Sequence, residues 1–94
     1  MRTINYTSQF KKDFKREKKS SRDKQNLEKD LLSIIYLLAE DKPLLKKHYD
    51  HRLTGNWKDH RDCHIKPDLV LIYRKSDTQT LDLVRIGSHA ELSL

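Results

Sequence analysis

The chain is poor in the residues that most often staple a fold or carry covalent chemistry. Its single cysteine, Cys63, excludes an internal disulfide, which fits a reducing cytosol. Cys63 is expected to be a small core or sheet residue rather than a nucleophile. The two glycines, Gly55 and Gly87, stand too far apart for a glycine-rich phosphate loop. No Gly-x-Ser-x-Gly elbow is present. The longest apolar stretch, Ile34 to Ala39, is far too short to span a bilayer. The opening Met-Arg-Thr-Ile-Asn-Tyr has no apolar run of signal-peptide type. A cytoplasmic protein without membrane contact is expected. Internal repeats, linkers and low-complexity tracts are also missing.

What the chain has in plenty is charge. Its 94 residues, read as a single domain over 1–94, are 36% charged and 35% hydrophobic. A chain this short buries only about 60–65% of its unfolded surface, so its stability margin is thin. The net charge of +6 is unevenly spread. Residues 1–30 carry ten basic and five acidic side chains, residues 43–75 eight and four, and residues 76–94 one and three. A basic surface favours polyanions, of which nucleic acid is the commonest.

The apolar residues cluster in periodic runs, the mark of a folded chain. Ile4 and Tyr6 alternate with polar residues, so Arg2 to Tyr6 reads as a strand. Thr7 or Ser8 can cap a helix over about residues 8–19, with Phe10 and Phe14 on one thin apolar stripe. A second helix, from about Arg22 to Glu40, carries Leu27, Leu31, Ile34 and Leu38 at helical spacing. Pro43 lies beyond its end. Thr54-Gly55-Asn56 signals a turn. Trp57 to Ile65 alternates, placing Trp57, Asp59, Arg61, Cys63 and Ile65 on the side expected to face the core. Leu69 to Tyr73 has the length of a strand buried on both faces, and Leu81 to Ile86 is the last strand. The expected fold is α+β: two N-terminal helices packed on a twisted antiparallel sheet, in the order β-α-α-β-β-β, with room for one more short strand near His51–Leu53.

Much of the chemistry sits between His51 and Asp68, with three of the five histidines and the only tryptophan. His48 lies just before this window and His89 far beyond it. A metal site is the first idea such a cluster raises. Strand spacing argues against it, because four residues at about 3.3 Å each separate His60 from His64 by roughly 13 Å. No metal and no other cofactor is therefore expected. Acid–base chemistry suits the residues better: histidine exchanges protons near neutral pH, a carboxylate can orient it or act as base, and a cation stabilises charge at a phosphate. His51, His64, Asp68, His89 and Arg85 form that set if the fold gathers them.

The run His51-Arg-Leu-x-Gly-x-Trp-Lys-x-x-Arg-Asp-x-His64-x-x-Pro-Asp68-x-x-Leu-Ile-Tyr73, followed by Arg85-x-Gly-x-His89, resembles the YafQ type of toxin in the RelE/ParE superfamily. Tyr6-x-x-x-Phe10-x-x-Asp13 extends the resemblance over nearly the whole chain. It implies a bacterial type II toxin: an endoribonuclease that cuts mRNA in the ribosomal A site, without a metal. It also implies that His51, His64, Asp68 and His89 are catalytic, with His89 as general acid and Asp68 or His51 as base. Arg85 would hold the scissile phosphate, and Arg61 and Lys58 are further candidates for substrate binding. The implied partners are a cognate antitoxin, the 70S ribosome with its ribosomal RNA and mRNA, and operator DNA reached through the antitoxin. Two positions depart from the pattern. Relatives can carry an aromatic after the aspartate, where this chain has Leu69, and a phenylalanine four residues after the last histidine, where it has Ser93. An aromatic in such a site can stack on a base. Two competing readings, a ParE-like gyrase inhibitor and a non-catalytic RNA-binding module, make no use of the four site residues together.

Overall fold

A computed structural model describes residues 1–94. The chain runs β1 (Thr3–Tyr6), α1 (Ser8–Ser20), α2 (Lys24–Ala39), β2 (His51–Arg52), β3 (Arg61–Lys66), β4 (Leu69–Arg74) and β5 (Thr80–Gly87). Short 3₁₀ turns at Lys46–His48 and Gly55–Trp57 flank β2. The Thr7 hydroxyl accepts the Phe10 amide at 3.1 Å and starts α1, and the Asp23 carboxylate accepts the Asn26 amide at 3.1 Å and starts α2. Each cap satisfies one of the orphan N–H groups of a first turn.

The sheet order is β1-β5-β4-β3-β2. The two-helix α+β architecture agrees with the sequence reading, and β2 is the extra short strand. One feature corrects it: the sheet is mixed, because β1 lies parallel to β5. Two helices separate β1 from the rest of the chain, and a connection of that length can return the strand in either direction.

Both helices cover one face. Phe10, Leu27, Leu31, Ile34, Ile35 and Leu38 pack there against Cys63, Ile65, Leu71, Tyr73, Leu81, Leu83 and Ile86. Cys63 is fully buried, as expected for a core residue. The opposite face carries a small second cluster of Val70, Ile72 and Leu92, with Leu53, Trp57 and Val84 against it. Trp57 thus corrects the expected alternation. It lies in a turn before β3, with Gly55 (φ 65°) and Asp59 (φ 69°) bending the chain, and it packs on the face away from the helices.

A bulge sets the faces of β5. Ile72 pairs with Arg85 and Tyr73 with Leu83, which leaves Val84 as the extra residue. Strict alternation would put Leu83 and Ile86 on opposite faces; the bulge puts both in the main core.

Candidate functional site

The site lies on the sheet face away from the helices. Within β3, Asp62 and His64 alternate with Cys63, which faces the helices, so both point the other way. β3 and β4 are joined through Pro67-Asp68, so Asp68 stands at the hairpin tip. The turn after β5 brings His89 to it. The Asp68 Oδ1 accepts the His89 amide at 3.0 Å and faces His89 Nδ1 at 2.7 Å. These two donations hold the Asp68 carboxyl below its usual range. The residue stays ionised at neutral pH.

The histidines form a row. The His89 and His64 rings lie edge to face with centroids 5.0 Å apart. Tyr49 lies 5.6 Å from His64 and 5.3 Å from His51. His51 enters from β2, whose register sets it opposite Asp62. Its Nδ1 is 2.9 Å from the Tyr49 carbonyl oxygen and 2.9 Å from Asp62 Oδ1. The N–H aims at the carbonyl, which leaves Asp62 Oδ1 buried without a directed hydrogen bond. Burial pushes the Asp62 carboxyl up, against the pull of His51 and His64. His48 stands behind the row, with Nδ1 2.8 Å from the His64 carbonyl oxygen.

These contacts decide where the protons sit. A carbonyl or carboxylate oxygen only accepts, so Nδ1 must be the donor in His48, His51 and His89. The Nε2 atom of each neutral ring is then the proton acceptor. Of the three, His89 is the one whose Nδ1 is held by an ionised carboxylate, that of Asp68.

Four sequence candidates are therefore brought to one region: His64, Asp68 and His89 in a continuous group, and His51 joined to it through Tyr49. The three cations are not part of the row. Arg85 is engaged by Asp13 of α1, donating through Nε at 2.9 Å and Nη2 at 3.1 Å. Its Nη1 makes no hydrogen bond within the fold. Arg61 lies on the other side of β3 from His64 and donates to Asp50 at 3.1 Å. Arg61 and Lys58 line a separate basic cleft with Arg52, Arg74 and Lys75. His60 precedes β3 and packs edge-on against Trp57.

Sequence reasoning missed Tyr49, Asp62 and Asp13 as parts of this region. Asp62 was legible from its two-residue spacing to His64. Asp13 stands in the motif that carries the resemblance, but without a role there, on a helix among lysines. Burial pushes its carboxyl up, but hydrogen bonds from Arg85, Gln9 and the Ile86 amide outweigh burial and hold it below its usual range.

Fold and site together define a small α+β protein with a histidine–carboxylate centre on an open sheet face and a basic surface around it. The chain belongs to the YafQ family, bacterial toxins of type II toxin–antitoxin systems, whose model matches residues 2–94. It is 40% identical to the mRNA interferase toxin YafQ of Escherichia coli K12, over 97% of this chain and 95% of that protein. YafQ in the crystallised E. coli DinJ–YafQ complex shares 38% identity and superposes with a TM-score of 0.83, covering 98% of both chains. A metal-bound toxin from Helicobacter pylori shares 42% identity with a TM-score of 0.83, over 98% of this chain and 99% of that one.

Proposed function

We propose that this protein is an endoribonuclease toxin that cleaves mRNA in the A site of the translating ribosome, in the bacterial cytoplasm, and so halts translation. The observation that carries the reading is the pairing of His89 with Asp68 beside His64, with His51 at the far end of the same row. The E. coli relative is an mRNA interferase by name.

The chemistry needs no cofactor. His51 Nε2 takes the proton of a 2′-hydroxyl, and the 2′-oxygen attacks the adjacent phosphorus. The 5′-oxygen leaves with the proton from His89 Nε2, giving a 2′,3′-cyclic phosphate and a 5′-hydroxyl end. Asp68 is less suited to be the base, since its Oδ1 already accepts twice from His89. It instead orients the His89 ring through Nδ1. His64 stands between the two ends of the row, and Arg85 Nη1 is the cation for the phosphate.

A cognate antitoxin neutralises the toxin, as the partner in the DinJ–YafQ complex suggests, and the complex represses its operon through operator DNA. The groove between α1 and α2 suits an acidic amphipathic antitoxin segment. It exposes Tyr6, Phe14 and Leu32 among Lys11, Lys15, Lys18, Lys19 and Lys24. In the free toxin these lysines meet ribosomal RNA.

A defined mRNA, translated in a purified system with toxin stripped of metal by chelator and dialysed, tests the reading. Cleavage within the A-site codon, absent on naked RNA and carrying a cyclic phosphate end, is expected. Intact mRNA with arrested gyrase would overturn it in favour of the ParE-like reading.

A further inference from the structure

We infer that Tyr49 is a base-stacking platform, taking a nucleobase of single-stranded RNA beside the phosphate that the histidine row flanks. The inference rests on the nuclease reading above. Tyr49 is 66% exposed, and its ring contacts both His51 and His64. A large aromatic left in water at the centre of a site loses the burial that would stabilise it, unless a ligand covers it.

The backbone holds the ring there under strain. Tyr49 is in the left-handed region, with φ 50° and ψ 48°, a conformation uncommon for bulky residues. Its amide donates to the Lys46 carbonyl at 3.1 Å and its carbonyl accepts from His51 Nδ1 at 2.9 Å. The ring is thus presented at a set position, at 80° to His51 and 33° to His64, with most of its surface open. Strain of this kind persists where the surroundings enforce it, often at ligand clamps.

No other aromatic residue is placed to do this. Leu69 is buried in the main core, and Ser93 has no ring. Trp57 packs against the second cluster and His60. Tyr6 and Tyr36 are exposed, but they lie on β1 and α2. An RNA base has two π faces and no net charge, so an open phenol ring is its matching surface. Such a stack tolerates every base and favours purines for their larger face.

The test uses a 2′-O-methylated mRNA that cannot be cleaved, with 2-aminopurine in the A-site codon, with and without 70S ribosomes programmed with it. Stacking quenches this fluorophore. The wild-type protein and Tyr49→Phe are expected to quench it, and Tyr49→Leu to leave it bright with an unchanged thermal midpoint. On unmethylated mRNA, Tyr49→Leu is expected to lose about tenfold or more in kcat/KM, mostly in KM, the size of one base–aromatic stack. Tyr49→Gly, which relieves the left-handed strain while removing the ring, is expected to match Tyr49→Leu. Failure of the wild type to quench, or quenching by Tyr49→Leu equal to wild type, overturns the inference. If the wild type quenches but cuts no unmethylated mRNA, the stack stands and the nuclease reading fails. If Tyr49→Leu cuts and quenches like the wild type, the nuclease reading stands and the stack fails.

Discussion

Two of the catalytic candidates, His51 and His89, direct their Nδ1 proton at a neighbouring oxygen. Nδ1 of His51 faces the Tyr49 carbonyl and Nδ1 of His89 faces Asp68. Both side chains remain half-exposed, with Nε2 free to meet a substrate. Removing His89 should therefore remove an acid while costing only its contacts with His64 and Asp68 at the surface. His89→Ala is expected to lower the single-turnover cleavage rate by about 10²–10⁴-fold, the usual worth of a positioned acid, with the thermal midpoint unmoved. Equal rates for the two proteins would sink the assignment. The same side chains show what was readable residue by residue. His64, Asp68 and His89 were legible as candidates, and His60 as a bystander. Tyr49 was not, because an isolated tyrosine in a polar link carries no pattern.

At the scale of the elements, the open edge of β5 explains Asp13. β1 covers β5 only as far as Leu83. Beyond it, strand groups would lack partners, and α1 supplies them with side chains. Asp13 Oδ2 accepts the Ile86 amide at 3.2 Å, and Arg16 donates to the Ile86 carbonyl at 3.2 Å. Asp13 is fully buried and also holds Arg85. Asp13→Asn is expected to destabilise the protein by about 2–3 kcal/mol in urea unfolding, since it strips the charge from a buried, hydrogen-bonded partner of a guanidinium. Because the folded carboxyl is held below its unfolded value, its stabilisation is present above about pH 4 and is lost as pH falls through the lower folded value. The acid limb of stability should flatten in the variant. An unchanged acid limb would mean that Asp13 is not the group responsible. The helices that bear these residues were legible from Phe10, Phe14 and the leucine stripe of α2. The edge pairing was not, because it joins residues 73 apart in the chain.

On the scale of the whole molecule, the charge asymmetry reads as a surface for a polyanion. Lys11, Lys15 and Lys19 lie on α1 and make no ion pair within the fold, whereas Lys18 is paired with Glu28. Binding to 70S ribosomes is expected to weaken linearly in log–log plots against salt. Replacing Lys11, Lys15 and Lys19 by Gln should reduce that slope by up to about 0.7–0.9 for each phosphate that is no longer neutralised. Sedimentation at several salt concentrations measures it. An unchanged slope would place the RNA-facing surface elsewhere, with the basic cleft of Arg52, Lys58 and Arg61 as the next candidate.

Local information by itself determined the elements and their caps. The period of the leucines made α2, the Thr7 hydroxyl started α1, and the unbroken apolar run from Leu69 to Tyr73 made the central strand β4. Residue chemistry and the motif of the resemblance also named His64, Asp68 and His89 as candidates. Only the tertiary structure decided that β1 joins β5 in parallel and that a bulge at Val84 turns Ile86 into the core. It also decided that Tyr49 joins His51 to His64 while Arg85 is tied to Asp13. The reason is physical. Periodicity reports which face of an element is apolar, but strand order, register and side-chain pairing depend on residues far apart in sequence, which come together only when the core closes.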